Sequence, residues 1–281
     1  MLAVQRTDPV SFHAEGPVWS DSWGGLRWVD MFAGDVLSLD GDTIHRRHVG
    51  PIAAALRPRQ RGGAVIALER GFALEDASGR IERLGDLWEN PGIRMNEGGC
   101  DPDGRFYCGS MAYDQRPGAG VLHRLDPDGT VTPVLRNLTI SNGLEWSPDG
   151  SLAYFNDTLS GRVAVLDYSP ERGLTGLRTF VAIPPEAGFP DGLTVDREGA
   201  VWVALYRGSA VRRYTPAGLL DGIVEVAAQN VTACTFGGPG LDQLFITTSR
   251  ENLQPGQDPL AGSVFVADVG VAGLPVRQFF G

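Results

Sequence analysis

A strand-and-turn unit of about forty residues recurs six times along this chain, and that repetition restricts the fold more than any single motif does. Glycine-bearing turns leading into an apolar strand fall at Gly25, Gly62, Gly104, Gly150, Gly199 and Gly240. A second turn follows each of them: Gly34 opens GDVLSLD, Gly71 GFALED, Gly120 GVLHRLD, Gly161 GRVAVLD, Gly208 GSAVRRY and Gly262 GSVFVAD. Two hairpin signals per unit, joined to runs such as Ala200 to Leu205, imply about four strands per repeat. The expected architecture is therefore an all-β, six-bladed β-propeller, with four-stranded antiparallel blades around a central channel and one domain spanning 1–281. Ring closure has two alternatives: Leu2 to Gln5 completes the last blade, or Val276 to Phe280 does so alone. The basic turn Arg57 to Gly63 reads as a solvated surface.

The same repeat aligns four oxygen-bearing side chains. Glu15 lies five residues before Ser20, Asn96 five before Asp101, Asn142 five before Ser147 and Asp191 five before Asp196. Arranged around an axis, equivalent positions converge, and two carboxylates with two amide oxygens form a donor set for a hard divalent cation. Asn and Asp before Gly are also common turn residues, which is the competing reading of Asn142 and Asp191 taken singly. Glu15 has no such turn preference, and the shared offset favours convergence. The other two repeats place Ile52 and Thr232 at that offset, leaving the ring incomplete. Asp30, Asp157 and Asp196 are expected to bind backbone amides at strand ends, and Trp19, Trp146 and Trp202 to fill space between blades.

Charge and residue content remove several activities. A net charge of −10 speaks against binding a phosphate backbone, so no nucleic-acid partner is expected. All 24 basic residues are arginine, which excludes Schiff-base chemistry and a phosphate-binding P-loop lysine. No Gly-x-Ser-x-Gly elbow is present. Cys100, Cys108 and Cys234 are too few and too irregular for a disulfide framework. No apolar run reaches membrane-spanning length, and the first residues lack a signal-peptide pattern, so the expectation is a cytoplasmic protein with no membrane partner, monomeric or homodimeric. His45 and His48 read as outer-strand positions, whereas His13 lies two residues before Glu15, close to the expected channel mouth.

AEGPVW at 14–19, RMNEGGCDPDGRFYCGSM at 94–111, SNGLEWSPDG at 141–150 and PDGLTVDREGAVWVAL at 190–205 resemble the senescence marker protein 30 / gluconolactonase family, also called regucalcin-like proteins. The resemblance implies a propeller holding one divalent metal ion and opening lactone rings of sugar acids. It implies Glu15, Asn142 and Asp191 as metal ligands, with Asn96 reaching the metal directly or through water. Arg94 and Asn96 would contact substrate, and Asp114, where the family often has Glu, would help to orient it. The loop Gln115 to Ala119 resembles a variable lid. Asp191 is the candidate general base as well as a ligand, and Arg94 the candidate stabiliser of developing negative charge. These donors accept Ca²⁺, Zn²⁺, Mn²⁺, Mg²⁺ or Fe²⁺ alike. Three functions are compatible with these residues: an aldonolactonase acting on a small sugar lactone, a related metal-dependent esterase or organophosphate hydrolase, and a non-enzymatic metal-binding regulatory propeller.

Overall fold

A computed structural model describes residues 1–281. The chain forms six four-stranded antiparallel sheets, each ordered from an inner strand outward. The inner strands are Ala14–Ser20, Ala53–Pro58, Ile93–Cys100, Ser141–Trp146, Phe189–Val195 and Val231–Gly237. Each touches the inner strand of the next blade, and the last touches the first, which closes the ring. The apolar core lies between blades. One cluster joins Trp202 and Val211 of blade 5 to Phe236 and Leu244 of blade 6, and another joins Tyr107 of blade 3 to Trp146 and Phe155 of blade 4. Trp146 and Trp202 are fully buried, and Trp19 stacks on Phe245 at 5.6 Å between ring centroids.

The N-terminus closes the last blade. Val4–Gln5 is its outermost strand, pairing with Val264–Asp268 in the register Val4 to Val266, while Leu2 bridges to Glu225 in blade 5. The C-terminal residues do not form a blade strand. They strap the ends of several blades: Arg277 Nη2 donates to the Ser147 carbonyl at 3.0 Å, the Phe279 amide to the Pro58 carbonyl at 2.8 Å and the Phe280 amide to the Gly104 carbonyl at 3.0 Å.

Every inner strand shows a register irregularity near its start, including Glu15/Val18, Met95/Gly98, Ser141/Leu144 and Pro190/Leu193. Bulges of this kind re-aim side chains. Gly143 and Gly192 sit inside strands, not in left-handed turns, and glycine is required there by crowding. A Cβ on Gly143 would meet Leu193 N at 2.6 Å, and one on Gly192 would meet the Ala233 Cβ at 2.4 Å. The turn reading of Asn142-Gly143 and Asp191-Gly192 thus gives way to close approach of neighbouring inner strands.

Arg57 departs from expectation. It ends up 8% exposed within an inner strand, and its charge acts on the buried Glu97 and Glu145 carboxyls. Period-two alternation turns it away from the Arg59–Gly63 turn that follows.

Candidate metal and substrate site

One face of the ring opens into a cavity of about 170 Å³ whose lining includes His13, Glu15, Arg94, Asn96, Asn142 and Asp191. Four inner strands bring together the aligned oxygen donors, all at most 4% exposed. Ile52 precedes its blade's inner strand, and the Thr232 hydroxyl is spent on the Ala14 carbonyl at 2.6 Å, so blades 2 and 6 supply no free oxygen from that register.

The donors are not equivalent. Asn142 Oδ1 and Asp191 Oδ1 are buried without any hydrogen-bond partner. Asn142 Nδ2 donates to Thr158 Oγ1 at 3.0 Å, which fixes the amide with its oxygen outward from that bond. Asn156 Nδ2 donates to the Asp191 backbone carbonyl, anchoring the strand that carries the carboxylate. Glu15 Oε2 accepts the Gly16 amide at 3.0 Å, and its Oε1 lies 3.9 Å from His13 Nε2. Asn96 is engaged on both sides: its Oδ1 accepts from Arg94 Nη1 at 2.6 Å and its Nδ2 donates to the Ser141 carbonyl at 2.9 Å. It therefore sits in the ring of donors as the partner of Arg94, in contrast to the open oxygens of Asn142 and Asp191.

Electrostatics sharpen the same distinction. Burial pushes the Asp191 carboxyl well above the usual range, and repulsion from Glu15, Glu97 and Glu251 pushes it further. Burial, then Glu97, does the same to Glu15, with the Gly16 amide and Arg94 opposing. Burial and Arg94 pull His13 down to about 3, so it is a neutral ring at neutral pH. Buried acceptors with no donor, beside two carboxylates that repel one another, are costly unless a cation joins them. Nowhere in the chain do three or more His, Cys, Asp or Glu side chains group as a metal site. A mixed set of two carboxylates and an amide oxygen suits a hard cation such as Ca²⁺ or Mg²⁺.

Arg94 is 5% exposed and lies between two rings, with its guanidinium carbon 5.1 Å from the Phe32 centroid and 5.7 Å from that of Tyr113. Its Nε has no partner. Asp114 does not join it. The carboxylate points into an exposed turn, 63% accessible, and pairs with Arg116 at 2.9 Å. Its neighbour Gln115, at a φ of 56°, lines the pocket instead. Sequence reasoning also missed Glu251 and Asn252, which enter the pocket from the connection after the strand Gln243–Thr248. They lie outside the aligned register, and nothing in the local sequence marks them.

Residues 13–250 match the SMP-30/gluconolactonase/LRE-like region. The chain belongs to that family. Among members of the SMP-30/gluconolactonase family, it is 35% identical to the pentonolactonase XacC of Haloferax volcanii, over 98% of this chain and 97% of that one. It is 34% identical to regucalcin of Danio rerio, over 95% and 94% respectively. The solved structure of regucalcin from Agrobacterium tumefaciens, described as a calcium-binding protein, superposes with a TM-score of 0.92 at 26% identity, covering 99% of this chain and 97% of the other. No helix is long and apolar enough to cross a membrane.

Proposed function

We propose that this chain is a divalent-metal-dependent lactonase that opens the ring of a small sugar lactone to the hydroxy acid. The observation that carries the reading is the pair of partnerless buried oxygens on Asn142 and Asp191, set in an open pocket beside a buried arginine. The names of the relatives, a pentonolactonase among them, agree with it.

Glu15, Asn142 and Asp191 would hold the ion, with Asn96 bordering it. When bound, such a cation supplies Lewis acidity toward a carbonyl oxygen. Arg94, kept in place by Asn96 and two aromatic rings, presents donors to the lactone oxygens and offsets negative charge as it develops. With Oδ1 given to the ion, the second carboxylate oxygen of Asp191 would take a proton from the attacking water. Water adds to the carbonyl carbon, the bond to the ring oxygen breaks, and that oxygen takes up a proton to become a hydroxyl. The walls of the pocket exclude bulk water from one side of the substrate and hold the ring for attack.

The test is acid release from a panel of sugar lactones before and after chelation, followed by re-addition of Ca²⁺, Mg²⁺, Mn²⁺, Zn²⁺ and Fe²⁺ separately. The reading requires activity that chelation removes and at least one ion restores. Turnover on esters or organophosphates without lactone turnover would move the substrate class.

A further inference from the structure

The pocket contains a carboxylate that the mechanism above does not use. Glu251 is pinned by its backbone: its N–H donates to Ser249 Oγ at 2.9 Å, and its carbonyl accepts from the Tyr206 hydroxyl at 3.0 Å and from Asn230 Nδ2 at 2.8 Å. The side chain takes no part in those bonds and is 28% exposed at the pocket wall. His13 lies beside it, with Nδ1 3.5 Å away and already sharing a 2.7 Å bond with Ser249 Oγ, and the Arg94 charge acts on it across the pocket. No arginine forms an ion pair with it. Backbone anchoring thus fixes the point from which the carboxylate reaches into the pocket without occupying its oxygens.

A carboxylate reaching into the pocket from an anchored backbone, with free lone pairs, recognises hydroxyl donors and repels anions. That combination matters for lactone opening, because the substrate is uncharged and the product is a carboxylate. We propose that Glu251 is a specificity residue, selecting hydroxyl-bearing neutral lactones over lactones without hydroxyls and over the sugar-acid anions that ring opening produces. The inference rests on the lactonase reading for its reaction. With Asp114 outside the pocket, Glu251 is the lining acid left over once Glu15 and Asp191 are assigned to the cation.

The test compares wild type with Glu251→Gln, which preserves shape and all three backbone hydrogen bonds. For glucono-δ-lactone, KM should rise about 10- to 100-fold, the range for a hydrogen bond to a charged group, with kcat nearly unchanged. For δ-valerolactone, which has no hydroxyls, kcat/KM should stay as it is. Inhibition by gluconate should tighten in the variant, because a repulsive charge is gone. An unchanged preference between the two lactones, or unchanged gluconate inhibition, overturns the proposal. Calorimetric binding of 1,5-anhydroglucitol, a hydroxylated ring that cannot be hydrolysed, separates the two readings. If wild type opens no lactone, the lactonase reading fails by itself, while binding weakened by Glu251→Gln still supports the selection and equal binding overturns it. Should Glu251→Gln lower Tm, Glu251→Asp replaces it: retained charge with a shortened reach should raise KM without tightening gluconate inhibition, and an unmoved KM overturns the proposal.

Discussion

Asp191 and Asp196 belong to the same blade, five positions apart, and the fold treats them in opposite ways. Asp196 is completely buried and saturated: it accepts the Glu198 and Ala200 amides, Trp202 Nε1 and Arg213 Nε, each at 2.9 Å. Asp191 is 4% exposed, yet one of its oxygens has no partner at all. The first aspartate closes the turn at the far end of the inner strand, where every lone pair works for stability. The second stands at the channel mouth, where its Oδ1 lone pairs stay open. Asp101 repeats the saturated pattern in blade 3, bonding the Asp103 and Arg105 amides, Arg105 Nε and the Tyr107 hydroxyl. The difference follows position on the inner strand itself: Asp101 and Asp196 close the turn after it, whereas Asp191 lies within it at the mouth, and the neighbouring acids Asp30 and Asp157 at the ends of second strands are again engaged by backbone amides.

Substitutions can break that contrast. The largest effect is expected for Asp191→Ala, which should cut lactone turnover by about a thousandfold or more and abolish calorimetric binding of the cation. The melting temperature of the chelated protein should hold or rise, because a buried carboxyl with an unpartnered oxygen disappears. Asp196→Ala should do the reverse, leaving turnover per folded molecule intact and lowering stability by about 3 kcal/mol in denaturant melts, since it strands the Glu198 and Ala200 amides and Trp202 Nε1, while Arg213 keeps Glu198 and Asp221 as partners. A loss of metal binding in Asp196→Ala, with stability unchanged, would collapse the distinction.

Smaller changes sharpen it. Arg94→Ala should lower kcat/KM by about a hundredfold while cation affinity stays the same, separating the substrate clamp from the ion's donors. Thr158→Val removes the hydroxyl that orients the Asn142 amide and should weaken cation binding about tenfold, read by calorimetry. Asp114→Ala should change KM less than about twofold, as expected for an exposed acid whose partner Arg116 is exposed as well.

The sequence made the six blades visible because each hairpin needs its own turn residues and each strand its own apolar run. Asp30, Asp157 and Asp196 bond backbone amides as expected, since acids at strand ends have few other partners. Ring closure has two alternatives in the sequence because a two-residue strand, Val4–Gln5, carries no repeat signal. Convergence of the four donors was readable from a shared offset, but which oxygens remain free was not. That depends on contacts across blades, such as Arg94 claiming Asn96 while Thr158 leaves Asn142 Oδ1 open. Asp114 was misplaced for a local reason, the turn that pairs it with Arg116, and Glu251 was hidden because the connection carrying it matches nothing in the other blades.

The most direct test of the account is the initial rate of acid release from a sugar lactone by one protein sample, measured loaded with divalent cation, stripped by chelator and reloaded. Activity that vanishes on stripping and returns with one cation equivalent per chain is the predicted result. A stripped protein that opens the ring as fast as the loaded one would contradict the claim that the oxygens of Glu15, Asn142 and Asp191 stand open for an ion the chemistry needs.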